Sequence, residues 1–197
     1  QLSGTGLTTK EKMHNDNQLA WFVEDPTAAL DAYINPTTYI SLDFETNSIE
    51  YGSALVPANH IVLACWEVHD AHTGRVVKKH VWGDEYCLST LEKDVEQAQF
   101  IVAHNAKFEL QWLRRAGIDL HKVLVFDTYL AEWVIAGNRG NTAGWELNLD
   151  ATAARYGLGN KVQAGKKMID AGIDPEDIPR EILQPYCYQD VALTNAI

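Results

Sequence analysis

The sequence has few cysteines and no long apolar run. Its three cysteines, Cys65, Cys87 and Cys187, are too few and too unevenly spaced for a disulfide framework or a thiolate zinc site, so we predict reduced core thiols. The most apolar stretch, residues 61–68, is interrupted by Glu67 and is long enough only for a strand. Neither a signal peptide nor a membrane-spanning segment is evident, and a soluble, cytoplasmic protein is expected.

Basic residues are also scarce. The chain carries 16 Lys and Arg against 27 Asp and Glu, which gives a formal net charge of −11. This charge disfavours a protein that holds duplex DNA through a basic surface, because such binding depends on Lys and Arg neutralising phosphates. A small site that grips a few nucleotides through divalent cations stays compatible with an acidic chain, since the ions supply the local positive charge.

Length and composition indicate one domain. At 197 residues, 46% of them hydrophobic, the chain suffices for a single well-packed core. Residues 1–18 are polar and aperiodic and predict a flexible leader, with the domain at residues 19–197. Within it, a short strand at 19–23 and a helix at about 25–34, opened by an Asp-Pro pair, are predicted first.

The rest of the pattern predicts an α/β fold. Three strands, at 38–46, 61–68 and 75–82, form an antiparallel meander, since turn residues at 70–74 suit a hairpin. Strands and helices then alternate, which implies parallel strands. The predicted strands are 100–103 and 123–126, and the predicted helices are 88–98, 106–115, 128–136, 149–156, 162–171 and a last one, punctuated by Pro179 and Pro185, that runs to 197. A mixed sheet flanked by helices results.

Asp43 and Glu45 form the first candidate motif. Alternation along the strand at 38–46 places both carboxylates on one face and apolar side chains on the other. Two like charges in an apolar strand raise each other's pKa unless a cation or solvent compensates. Taken alone, the pair fits a wetted strand end as well as a divalent-cation site.

The second motif is Asn105 and Glu109, where a buried strand passes into a helix. Asn105 suits a helix N-cap, and Glu109, four residues on, lies on the same helical face. Both can face a cleft at the carboxyl end of a strand, where open α/β sheets place their sites. Taken alone, Asn105 is only a cap and Glu109 a solvated surface charge.

The third motif is Tyr186 and Asp190 on the last helix. A spacing of four sets phenol and carboxylate side by side, and Pro185 would start the helix or kink it. Taken alone, the pair also fits an amphipathic helix with an exposed aspartate.

In this order, the three motifs resemble the DEDDy branch of DnaQ-like 3′–5′ exonucleases, in particular the proofreading domains of phage-type family A DNA polymerases. The resemblance covers residues 19–197. Phe126-Asp127-Thr128 and residues 149–157 look like framework segments of that family, and Asp127 itself is interpreted as a helix N-cap without a role in chemistry. The other branch has histidine five residues before the last aspartate. Pro185 stands there in this chain, so tyrosine is the candidate, and His104 is interpreted as structural.

The resemblance implies a ribonuclease H-like fold and two divalent cations, Mg²⁺ or Mn²⁺, which prefer oxygen ligands. Asp43 would bridge both ions, Glu45 and Asp190 would complete the first site, and Glu109 would order the second through water. Tyr186 would orient the attacking water. The expected product is a nucleoside 5′-monophosphate released from a DNA 3′ end.

Three further residues match family positions that contact the terminal nucleotides: Thr46, Asn105 and Phe108. The substrate strand is expected single-stranded or frayed, because a duplex end cannot easily enter such a cleft. The resemblance also implies association with a DNA polymerase domain or subunit, in a bacterial or phage-infected cell.

One departure from the family is Glu109, where aspartate is usual. A carboxylate one methylene longer could still act through water, with metal affinity or rate shifted. Two alternatives stay open from the sequence: an RNA-trimming relative that uses the same acids, and a weakened nucleic-acid-binding module of a polymerase.

Overall fold

The structure is a computed structural model that describes Leu30 and residues 36–83, 88–121, 123–139, 145–159 and 163–197. The chain divides into two units, Gln1–Asn35 and Pro36–Ile197. Apart from Leu30, the predicted leader at 1–18 and the predicted strand and helix between 19 and 34 lie outside the described residues, and so does Cys87. The account below concerns the second unit.

A mixed five-stranded sheet is the centre of this unit. Its strands are β1 (Thr38–Thr46), β2 (Ile61–Asp70), β3 (Arg75–Trp82), β4 (Phe100–Ala103) and β5 (Leu124–Asp127). The order is β3-β2-β1-β4-β5, with antiparallel pairing among the first three strands of the chain and parallel pairing of β1 with β4 and of β4 with β5. The predicted meander and the predicted parallel strands are confirmed, and this mixed sheet is that of the ribonuclease H-like α/β class.

Helices flank the sheet at the predicted places. In the first five helices, each end differs from its predicted position by no more than two residues. They are α1 (Ser89–Gln97), α2 (Lys107–Arg115), α3 (Thr128–Ala136), α4 (Leu149–Arg155), α5 (Gln163–Asp170) and α6 (Arg180–Ala196). Among the described helices, none combines the length and apolar character needed to cross a bilayer.

Pro185 does not start the last helix. It lies inside α6, which begins directly after Pro179, whose carbonyl accepts hydrogen bonds from the backbone N–H groups of Ile182 and Leu183. Of the two expectations for Pro185, a helix start or a kink, the first is therefore wrong, because Pro179 already supplies the change from extended to helical backbone.

The two faces of the sheet bury different side chains. Ile40, Leu42 and Phe44 of β1 enter one apolar cluster with Trp112 and Leu113 of α2. On the other face, α6 packs against β2 in a second cluster, which contains Leu63, Cys65, Leu183, Tyr186, Cys187 and Val191. Helix α6 therefore packs against the face of the sheet from which the carboxylates of β1 project.

Candidate active site

The carboxylates of Asp43 and Glu45 project from β1 on the face that α6 covers. Both residues are half-buried, whereas their neighbours Leu42 and Phe44 are buried in the opposite cluster. The predicted alternation along this strand is confirmed. A simple wetted strand end does not describe the pair, because α6 packs against this face.

Helix α6 brings Tyr186 and Asp190 to the same face. Their exposed fractions are 7% and 4%, so the alternative of an exposed aspartate is wrong. The Cys187 thiol, between them in sequence, lies 3.5 Å from both the backbone oxygen and Oδ2 of Asp43, to which it donates. This contact ties the helix to the strand at the level of the first carboxylate.

Cys187 and Cys65 are the buried free thiols of the described residues. Burial, and after it the neighbouring Cys65 thiol and the Asp43 and Glu45 carboxylates, raises the pKa of the Cys187 thiol. The thiol therefore stays protonated and acts as a hydrogen-bond donor, as the prediction of reduced core thiols requires.

Glu109 comes from the first turn of α2 and is 3% exposed. The prediction of a solvated surface charge for the isolated motif is wrong. Its Oε2 has no hydrogen-bond partner among the described residues. Burial raises the pKa of the Glu109 carboxyl well above its usual range, and the charges of Asp43, Asp127 and Glu45 raise it further. The carboxyl group of α2 is thus close enough to the carboxylates of β1 to feel their charge.

The phenol of Tyr186 lies in the same field of negative charge. Burial raises its pKa first, and the Asp190, Glu45 and Asp43 carboxylates raise it further. The phenol also donates a hydrogen bond to the Asp190 carboxylate. Because the phenolate is so strongly disfavoured, the side chain keeps its proton and can serve as a donor but not as a base.

The donor set fits hard divalent cations. Ligand atoms of Asp43, Glu45 and Cys187 lie within 4.8 Å of one another, and carboxylate oxygens are the ligands that Mg²⁺ and Mn²⁺ prefer. A buried carboxyl oxygen without a hydrogen bond is costly, and a cation would satisfy the one on Glu109. The residues that could hold the ions are Asp43, Glu45, Glu109 and Asp190.

Asn105 does not cap α2 as predicted. The N-cap is Ala106, and Asn105, just before it, is exposed with a left-handed backbone at φ 65°. Asparagine is one of the few residues that tolerate this conformation. The start of the helix is held instead by the Asp127 carboxylate, which accepts hydrogen bonds from the N–H groups of Asn105 and Ala106 at 3.0 Å each.

The other two predicted substrate-binding residues differ in exposure. Phe108 is half-buried against the core of the α2 face. Thr46 is buried, and the structure leaves no space for a side chain at Gly52, whose ideal Cβ would meet the Thr46 hydroxyl at 2.2 Å. Contact with nucleotides stays a prediction for Thr46, Asn105 and Phe108.

Asp127 is the N-cap of α3, as predicted: its Oδ1 accepts from the N–H groups of Tyr129 and Leu130. His104 is held on both ring nitrogens, at 2.9 Å from Thr128 Oγ1 and at 2.9 Å from the carbonyl oxygen of Leu147. Its structural interpretation agrees with these contacts.

Sequence reasoning missed a residue beside Tyr186. Gly165 is a buried position of α5, and an ideal Cβ on it would lie 2.7 Å from Tyr186 Cβ and Cγ. A glycine inside a helical pattern was the available signal, because such a glycine weakens the helix unless packing requires it.

Comparison with known protein families assigns the chain to one of them. No curated protein matches the chain. The model of the 3′–5′ exonuclease domain of family A DNA polymerases matches residues 16–197, which include every residue of the site. The chain therefore belongs to this 3′–5′ exonuclease family.

Proposed function

We propose that the chain hydrolyses the 3′-terminal phosphodiester of single-stranded or frayed DNA and releases nucleoside 5′-monophosphates. Asp43, Glu45, Glu109 and Asp190 are the proposed ligands of two divalent cations, Mg²⁺ or Mn²⁺. The observation that carries the proposal is the buried Glu109 carboxyl, whose Oε2 has no hydrogen-bond partner among the described residues and whose pKa the charges of Asp43 and Glu45 raise. A purely structural carboxyl in that position would be expected to find a donor.

Bound ions would lower the pKa of a water molecule and neutralise charge on the departing 3′ oxygen. The chain's own groups supply alignment. The proposed role of the Tyr186 phenol, which is protonated and donates to Asp190, is to orient a water molecule or a phosphate oxygen, and its raised pKa argues against a role as the base that accepts the proton of the attacking water. The carboxylates of β1, α2 and α6 keep their positions because a strand and two helices hold them.

The proposed substrate is a strand end with unpaired nucleotides. The net charge of −11 provides little phosphate neutralisation away from the site, so affinity must come from the cations and from a few contacts to the last nucleotides. The exposed Asn105, just before α2, and the half-buried Phe108, next to Glu109 in its first turn, support such contacts through hydrogen bonding and stacking. A proofreading role beside a polymerase domain follows as part of this proposal.

The first experiment is digestion of a 5′-labelled single-stranded DNA with Mg²⁺ or Mn²⁺. We expect a ladder that shortens by one nucleotide at a time from the 3′ end and that disappears with EDTA or with Asp43→Ala. Folded protein that yields no ladder with either metal would contradict the proposal and favour a domain that binds strands without cleaving them.

A matched RNA oligonucleotide distinguishes the RNA-trimming alternative, since the two substrates differ in the 2′-hydroxyl group. We expect faster cleavage of the DNA. Primer–template duplexes with paired or mismatched 3′ ends test proofreading, and the proposal predicts faster removal of the mismatched nucleotide because that end frays. Equal rates on both ends would contradict the proofreading role.

A further inference from the structure

Asp127 makes more hydrogen bonds than a helix cap requires. It ends β5 and begins α3, where its Oδ1 accepts from Tyr129 N at 2.9 Å and from Leu130 N at 3.3 Å. The same carboxylate accepts from Asn105 N through Oδ1 and from Ala106 N through Oδ2, at 3.0 Å each. Only two of these four bonds serve α3, so the other two have a different structural consequence.

Those two bonds fix the turn between β4 and α2. In the parallel pairing of β4 with β5, Ala103 lies opposite Asp127, which places the carboxylate beside the residues that follow β4. Asn105 adopts its left-handed backbone in this turn, and α2 starts immediately after it. Asparagine tolerates this conformation, and the hydrogen bond from its N–H group to Asp127 holds the turn in place.

Glu109 depends on this turn for its position. It lies in the first turn of α2, three residues after Ala106. Because each residue of an α-helix is rotated by a fixed angle from the one before it, the first residue of the helix determines the direction in which Glu109 projects. Ala106, the N-cap of α2, has a side chain that cannot accept a hydrogen bond, and its own N–H group donates to Asp127 Oδ2 at the end of β5. The Asp127 charge also acts on the Glu109 carboxyl, whose pKa it raises after burial and Asp43 have done so.

We propose that Asp127 is a positioning residue that fixes Glu109 against Asp43 and Glu45, and so sets the affinity for the cation that Glu109 helps to hold. The inference rests on the proposed function, because it takes Glu109 as a cation ligand. It goes beyond the capping role, which concerns α3 alone.

Two substitutions separate positioning from capping. In Asp127→Ser the hydroxyl can still cap α3, but it is too short to reach the β4–α2 turn as well. In Asp127→Asn the shape is kept, and the amide nitrogen cannot accept, so the N–H group of Ala106 loses its acceptor. The matched control is Asn148→Ala, which removes the N-cap of α4, an acceptor for Ala151 N, from an exposed residue outside the site.

The experiment measures Mn²⁺ binding at equilibrium by calorimetry, alongside kcat and KM on a single-stranded oligonucleotide and thermal unfolding. We expect Asp127→Ser and Asp127→Asn to weaken Mn²⁺ binding and to lower kcat by roughly 10–100-fold, the usual effect of losing a group that orients a metal ligand. KM for the oligonucleotide should stay within about twofold of the wild type in both variants. Asn148→Ala should lower the unfolding temperature without changing Mn²⁺ binding.

Glu109→Gln, measured in parallel, tells the two proposals apart. Loss of Mn²⁺ affinity in Glu109→Gln together with wild-type affinity in both Asp127 variants would overturn the positioning role and leave the proposed function standing. Unchanged affinity in all three variants would overturn both proposals. If Asp127→Ser does not fold, the result for Asp127→Asn decides, because that variant keeps the shape of the side chain.

Discussion

Replacing Gly165 by alanine tests how closely the catalytic arrangement depends on packing behind Tyr186. An ideal Cβ at this position would lie 2.7 Å from Tyr186 Cβ and Cγ and 2.9 Å from its Cδ2. Carbon atoms in contact prefer about 3.5–4.0 Å, so the tyrosine or α5 must shift by roughly 1 Å. The contact is to the start of the side chain rather than to a flexible end, and movement therefore changes the direction of the phenol.

Two opposing terms determine the stability of Gly165→Ala. Alanine favours a helix over glycine by about 1 kcal/mol. Overpacking in a buried contact costs about 1–3 kcal/mol. We expect the free energy of unfolding to fall by about 1 kcal/mol, because an overpacking cost of about 2 kcal/mol exceeds the helix-propensity gain of about 1 kcal/mol. The catalytic effect should be larger, because a misplacement of 1 Å can lower a rate by about 10²-fold.

The assay compares kcat, KM and Mn²⁺ affinity for wild type, Gly165→Ala, Tyr186→Phe and the double variant. We expect kcat of Gly165→Ala to fall by about 10²-fold with Mn²⁺ affinity unchanged. The double variant should be little worse than Tyr186→Phe, since both changes act on one group. Ala164→Gly, at an exposed neighbour in α5, is the control for a weakened helix and should keep the wild-type kcat. A Gly165→Ala protein with wild-type kcat and a higher unfolding temperature would refute the reasoning.

Two further predictions concern pH. The folded-state pKa of Glu109 is raised above its unfolded value, so the contribution of this group to stability is complete below the unfolded pKa and is lost as pH rises through the folded one. Metal-free protein should therefore lose stability as the pH rises, and Mn²⁺ should restore more of that stability at higher pH. Glu109→Gln should raise the metal-free stability at pH 8 by roughly 1–3 kcal/mol. Thermal unfolding at several pH values with and without Mn²⁺ checks this, and a pH-independent Mn²⁺ effect would contradict it. For Asp174, burial raises the carboxyl pKa, but hydrogen bonds from the hydroxyl and N–H of Ser48 outweigh it, and the folded pKa is lowered. The pH-dependent part of its contribution is present above the unfolded pKa and lost as pH falls through the folded one. Asp174→Ala should therefore cost more stability near neutral pH than in strong acid, by less than about 1 kcal/mol because solvent screens this site, as measured by urea unfolding. An equal cost at both pH values would count against the assignment.

The sheet could be predicted because local patterns determine its strands. Apolar residues alternate with Asp43 and Glu45 along β1, and turn residues separate β2 from β3. The bounds of β1, β3 and β4 are as predicted, whereas β2 runs two residues further than predicted and β5 begins and ends one residue later. The start of α6 was more difficult, since two prolines lie six residues apart and either can begin a helix. Only the hydrogen bonds to Pro179 identify the first turn.

The candidate residues of the site could be named from the sequence, but their environment could not be predicted. Glu109 is a charged residue on an amphipathic helix, and nothing local indicates that its carboxyl group is buried beside Asp43. Likewise, the N–H groups that Asp127 accepts lie 22 and 21 positions before it, so its second role depends on the pairing of β4 with β5. Contacts between distant segments determine both properties, and patterns within one segment do not contain them.

The hydrogen bond from the Cys187 thiol to Asp43 joins residues that are 144 positions apart in the chain. A ribosome that adds about 5–20 residues per second needs on the order of ten seconds to make the intervening segment. During that interval the segment of β1 has been made, but the segment of the helix that carries Tyr186 and Asp190 has not. The proposed set of metal ligands is therefore incomplete on the nascent polypeptide until the residues of α6 have been added.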